Sequence, residues 1–207
     1  RIDARYVEDA ARFNTAGWHA LAPDSFGARG KRAICSEPNA ARTITVQVRR
    51  DDVLRAFAWL AARRDVDATR IALVGWSHGA MTLLESIDTP HWPTTRPNTR
   101  PVAAAAFYPG CSALLRRGDY LPAVPLLMLL GEKDDWTPPA RCLALEKQLR
   151  VREPSTPLRL VVFADSHHGF DSPWPVRFRA DVPNGVAKTG VHAGGNPQAR
   201  ARALQLL

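Results

Sequence analysis

The chain has 207 residues, enough for a single domain with one sizeable core. Its 45% hydrophobic and 23% charged residues are the proportions of a soluble globular protein, and no apolar run reaches the ~18 residues of a transmembrane helix. The net charge of +8 invites a nucleic-acid partner, but Arg49-Arg50, Arg63-Arg64 and Arg116-Arg117 are scattered and no stacking aromatics sit among them, so the basic residues read as a solvated surface with a mild attraction for anionic substrates.

In chain order, Val7 to Ala16 predicts a helix that stops at Gly17, followed by a strand over Trp18 to Ala22. A loop runs from Pro23 to Gly30, and irregular polar chain continues to about Arg42. Asp51 to Arg64 predicts a helix whose inner face carries Val53, Phe57, Leu60 and Ala61. Ile71 to Val74 predicts a buried strand leading through Gly75-Trp-Ser-His-Gly79 into an apolar helix, Ala80 to Ile87. A proline-rich loop over 89–101 precedes a strand, Val102 to Phe107, and a turn, Tyr108 to Cys111. Pro125 to Leu130 is the next strand. Thr137 is expected to cap a helix with Pro138 at its first position and Cys142, Leu145 and Leu149 facing inward. Leu158 to Phe163 is the last strand, and Asn196-Pro197 opens a terminal helix. Short apolar runs alternating with amphipathic stretches imply a parallel sheet with crossover helices.

Three of these strands end in residues that carry chemistry. Gly75-Trp76-Ser77-His78-Gly79 matches G-x-S-x-G between a strand and a helix, the context that lifts a serine hydroxyl above the sheet. Glycines on both flanks permit a turn too tight for side chains. The backbone N–H of His78, at the helix start, is placed to stabilise an oxyanion. After the Pro125–Leu130 strand come Asp134 and Asp135, either of which can orient a base. After the last strand come His167 and His168; His168, next to Gly169, is the candidate base, with His167 assigned to packing or hydrogen bonding. His19, His91 and His192 lack metal-ligand spacing, so no metal is expected. Trp76, Trp136 and Trp174 lie near the three motifs; Trp76 and Trp136 are candidate substrate-binding residues, with core packing the alternative. The three cysteines, Cys35, Cys111 and Cys142, show no CxxC and read as free thiols, with a Cys111–Cys142 bridge as the alternative.

Together these segments resemble the dienelactone hydrolase family of α/β-hydrolases. The resemblance rests on Asp24-Ser-Phe-Gly-Ala-Arg-Gly30, Gly75-Trp-Ser-His-Gly79, Gly131-Glu-Lys-Asp-Asp-Trp-Thr-Pro138, His168-Gly-Phe-Asp171 and Gly194-Gly-Asn-Pro-Gln-Ala-Arg200. It implies an α/β-hydrolase fold over residues 1–207, a mostly parallel sheet with helices on both faces. The family's acid follows a G-x-x-D-x-x-x-P pattern, which selects Asp134 over Asp135. It implies hydrolysis of small-molecule esters or lactones by Ser77, Asp134 and His168, without metal or organic cofactor, in a monomer or weak dimer. The family's usual nucleophile is a cysteine. Serine at position 77 departs from it and points to a more general carboxylester hydrolase. Arg29 lies near the family's substrate-carboxylate arginine. Cys111 and Cys142 follow neighbouring strand ends, so they can approach each other; if they are bridged, export is favoured over a cytoplasmic location. Otherwise cytoplasm and periplasm both stay open.

The resemblance also implies a strand and a His-Gly-rich loop before the first helix, carrying the second oxyanion donor. No such segment occurs here. The expectation is a fragment lacking N-terminal strands, one of which belongs between the Trp18–Ala22 and Ile71–Val74 strands. A non-catalytic binding protein on this fold and a peptidase of the same fold are the competing functional readings.

Overall fold

Four short runs rich in leucine, valine and alanine, Leu73–Trp76, Ala104–Phe107, Leu126–Gly131 and Leu158–Phe163, form strands β1 to β4 of the computed structural model, which describes residues 4–91 and 100–207. They pair in parallel in the order β1-β2-β3-β4, with Gly75 opposite Ala106 and Met128 opposite Leu160. Parallel neighbours need crossovers, and three helices supply them: α3 (His78–Ser86), α4 (Ser112–Arg117) and α5 (Pro139–Arg152). The chain opens with α1 (Ala4–Thr15) and α2 (Val46–Ala61) and closes with a hairpin, β5 (Arg177–Arg179) and β6 (Val191–Ala193), and α6 (Pro197–Leu204).

The sheet is apolar on both faces, as a parallel sheet covered by helices must be. Alternation sends Ala104, Ala106, Leu126, Met128 and Leu130 into a core with Leu84 of α3, Leu114 of α4 and Leu145 of α5. Phe107 and Leu129 point the other way and pack with Phe163, Phe170 and Ala203 of α6. Tyr6 of α1 reaches the same face, its ring centroid 5.0 Å from that of Trp76. The architecture expected from the sequence is thus present: an α/β-hydrolase sheet with helices on both sides. No helix among the described residues is long and apolar enough to cross a membrane.

Several local expectations need correction. Residues 18–22 form no strand, and Trp18 and Leu21 are exposed; the Trp18 N–H turns back to Phe13 O at 2.9 Å, closing α1 rather than joining a sheet. The second helix starts at Val46, five residues before Asp51, because the Thr45 hydroxyl accepts the Val48 N–H at 3.3 Å. It also ends earlier, at Ala61. Thr137 does not cap α5: Pro138 occupies that position with Pro139 behind it, and prolines bring no N–H to satisfy. Asn196 does cap α6, accepting the N–H groups of Gln198 and Ala199. Helix α4 and the β5–β6 hairpin were not expected. The proline-rich loop over 89–101 lies mostly outside the described residues.

Cys111, at the start of α4, is bridged to Cys142 in α5, with their Cα atoms 5.0 Å apart. This replaces the reading of both as free thiols; Cys35 does remain free.

Candidate active site

The turn from β1 into α3 is built around Ser77, whose φ of 52° and ψ of −120° lie in a region few non-glycine residues adopt. Its amide donates to Phe107 O at 2.9 Å, so β2 holds the turn in place. The two flanking glycines differ in what they permit. A Cβ on Gly75 would sit 2.7 Å from Gly79 O and 2.9 Å from Ala80 N, so only glycine fits. A Cβ on Gly79 would meet nothing nearer than Arg49 Nη2 at 3.7 Å. The expected crowding on both flanks therefore holds on one.

The loops after β3 and β4 meet above this turn. Gly131 lies so close to Ser166 O that a Cβ would approach it to 2.5 Å, and Lys133 N–H donates to the same oxygen at 2.9 Å. This contact brings Asp134 and His168 together. His168 Nε2 lies 2.8 Å from Ser77 Oγ, and its Nδ1 lies 2.8 Å from Asp134 Oδ2. Asp134 and His168 are buried, while Ser77 is partly accessible. Asp134 Oδ1 accepts the backbone N–H groups of Trp136 and Thr137 at 2.9 and 2.8 Å, which fix the carboxylate with its other oxygen toward the ring. Of the two aspartates, Asp134 is the one that faces the His168 ring. Asp135 turns away and pairs with His192 Nδ1 at 2.8 Å.

Chemically, this is a hydroxyl beside an imidazole whose far nitrogen faces a buried carboxylate. Such a set can move a proton from oxygen to nitrogen and stabilise the resulting imidazolium. The His78 amide is the first of α3, where the opening N–H groups have no partner within the helix. The His78 side chain points elsewhere: its Nδ1 lies 2.9 Å from Arg49 Nη1. Burial first, then the charges of Arg49 and Arg42, push its pKa down to about 4, so the ring is neutral at neutral pH.

The other expected residues separate. Trp136 packs on the proposed base, its ring centroid 4.5 Å from that of His168. Trp76, half-buried, stacks on Phe107 and donates Nε1–H to Asp171 at 2.8 Å. Trp174 is exposed. Arg29 is engaged by Asp52, through bonds of 2.7 and 2.9 Å, and by Ser25 O at 2.8 Å. It is Arg42 that joins Thr45, His78, Met81 and Gly110 around a cavity of about 250 Å³ beside the turn.

Two supporting residues escaped the sequence reading. Thr137 Oγ1 lies 2.9 Å from Asp134 Oδ2, 3.0 Å from Tyr108 O and 3.1 Å from His168 Nδ1. Tyr108, strained at φ 39°, lays its ring 4.6 Å from that of His168. Its hydroxyl donates to Asp171 at 2.7 Å. The imidazole is therefore held between Tyr108 and Trp136. The only hint in the sequence was that both supporting residues follow strand ends.

A strained serine at a strand-to-helix turn, above a parallel sheet flanked by helices and hydrogen-bonded in series to a histidine and an aspartate, defines a hydrolase of the α/β-hydrolase class. More narrowly, the chain belongs to the dienelactone hydrolase family, whose model matches residues 4–205, and so to the carboxylic ester hydrolases. It resembles the structure of a putative dienelactone hydrolase from Klebsiella pneumoniae at 18% identity and a TM-score of 0.68, covering 99% of this chain and 79% of that one. A dienelactone hydrolase-like promiscuous phosphotriesterase from metagenomic libraries is similar at 19% identity and a TM-score of 0.70, covering 99% and 78%. A carboxylesterase from Lactobacillus plantarum is similar at 15% identity and a TM-score of 0.63, also covering 99% and 78%. No curated protein matches the sequence.

Proposed function

We propose that this carboxylic ester hydrolase works through a serine nucleophile and an acyl-enzyme intermediate. The observation that carries the reading is the unbroken series Ser77 Oγ, His168 Nε2, His168 Nδ1 and Asp134 Oδ2, with 2.8 Å at each hydrogen bond. Ser77 Oγ attacks the ester carbonyl carbon as its proton passes to His168 Nε2. The carbonyl oxygen takes the negative charge beside the His78 N–H. The bond to the leaving oxygen then breaks, and His168 returns the proton to it as the alcohol. In a lactone that alcohol stays attached to the acyl group. Water attacks the acyl-enzyme by the same route, giving the acid and free Ser77. Asp134 keeps the imidazole in the tautomer that accepts at Nε2.

The cavity of about 250 Å³ beside the turn, with Arg42 and Glu85 both on its wall, is the place we assign to the acyl or alcohol group of a small ester. In this reading neither nucleic acid nor membrane takes part. The test is labelling with a fluorophosphonate probe, followed by mapping of the modified residue. Labelling at Ser77 that is lost in Ser77→Ala is the expected result. A folded protein that takes no label would instead support a non-catalytic binding protein.

A further inference from the structure

Outside the serine site, the structure gathers a second set of chemically capable side chains. Asp135 follows β3, His167 follows β4 and His192 lies in β6, and one ligand atom from each falls within 4.8 Å of the others. His192 is doubly tied to Asp135: its backbone N–H donates to Oδ1 at 2.9 Å, and its Nδ1 lies 2.8 Å from Oδ2. The His167 ring lies 5.4 Å from that of His192, centroid to centroid. Its Nδ1 is shielded from solvent and has no hydrogen-bond partner among the described residues. An unused imidazole nitrogen costs free energy unless something binds it.

We propose that Asp135, His167 and His192 form a binding site for a divalent transition metal of the zinc class. Two imidazoles and a carboxylate suit zinc, cobalt or nickel, whereas magnesium and calcium prefer sites made of oxygen alone. Bonds of about 2.0–2.1 Å in a tetrahedral site place the ligand atoms roughly 3.3 Å apart, so closure needs side-chain rotations of about an ångström. The ion takes the place of the proton shared by His192 and Asp135, and the fourth position is left to water. One ring nitrogen of His167 takes the third ligand position. Because Asp135 adjoins Asp134 and His167 adjoins His168, the ion clamps both loops of the serine site to the hairpin from outside. The site stands whether or not Ser77 is a nucleophile.

The test strips the protein with a chelator and titrates it with Zn²⁺ by calorimetry and with Co²⁺ by visible absorption. Neither readout depends on hydrolysis. Saturable binding is expected, with the intense visible bands of tetrahedral Co²⁺ and a raised melting temperature. His192→Ala and Asp135→Asn should each weaken binding by at least about tenfold. Cys35→Ser and His19→Ala should leave it unchanged. Asp135→Asn, which keeps an acceptor for the His192 N–H, serves if His192→Ala does not fold. No saturable binding, or equal binding in the Asp135 and His192 variants, overturns the assignment.

Discussion

Thr137 has one hydroxyl proton and three polar neighbours: the Asp134 carboxylate, the Tyr108 carbonyl and the His168 ring. It can donate to only one acceptor at a time, so its value lies in fixing the distance between acid and base. Thr137→Val keeps the shape and removes the oxygen. A hydrogen bond to a charged group contributes about 1.5–3 kcal/mol, so kcat should fall by about tenfold or more while KM for a small ester moves little. Ser77→Ala, which removes the attacking atom itself, should lower kcat by about 10⁴-fold, measured with the same ester. His78 gives a prediction in pH. Unfolded, its ring binds a proton near 6.5; folded, burial and the neighbouring arginines lower this to about 4. The unfolded chain therefore binds more protons between those values. Stability should be undiminished above about pH 6.5 and fall as pH drops toward 4, by at most roughly 3 kcal/mol. Urea midpoints at several pH values should show that part of the slope missing in His78→Leu.

At the scale of the elements, the β1–α3 turn separates two glycines that look equivalent in the motif. Gly75 faces the backbone of Gly79 and Ala80 at under 3 Å, whereas Gly79 faces only the end of the Arg49 side chain. Gly75→Ala should cost about 3 kcal/mol or more, because backbone must move. Gly79→Ala should cost under about 1 kcal/mol, since alanine also favours the helix it enters. Thermal melts of the two variants check the contrast. The strands were legible because apolar runs of four to six residues have few other fates. Helix α2 was misplaced because Thr45, Val46 and Val48 are β-branched and disguise a helix start that depends on one cap. The β5–β6 hairpin has three residues per strand, one of them Arg177-Phe-Arg179, too few to show any alternation.

For the whole molecule, the Cys111–Cys142 bridge closes a separation of 31 residues and ties α4 to α5 across the crossovers of the sheet. Chain-entropy arguments assign such a loop roughly 3–4 kcal/mol. Reduction, or the Cys111→Ala/Cys142→Ala pair, should lower the melting temperature while leaving probe labelling of Ser77 intact well below it. Bridges of this kind persist in oxidising compartments, so protein made in a reducing cytosol should show three alkylatable cysteines rather than one after unfolding.

The order of Ser77, Asp134 and His168 along the chain, each just past a strand, was determined by the sequence alone. Strand, turn and helix signals are local, and G-x-S-x-G needs only its own five residues. Which of two adjacent aspartates faces the base was decided by contacts between the loops after β3 and β4, chiefly Gly131 against Ser166. The same holds for the pairing of Arg29 with Asp52, the stacking of Trp76 on Phe107, and the meeting of Asp135, His167 and His192. Each joins residues separated by between 23 and 57 positions, and spacing along a chain carries no information about such distances until the sheet fixes where its loops converge.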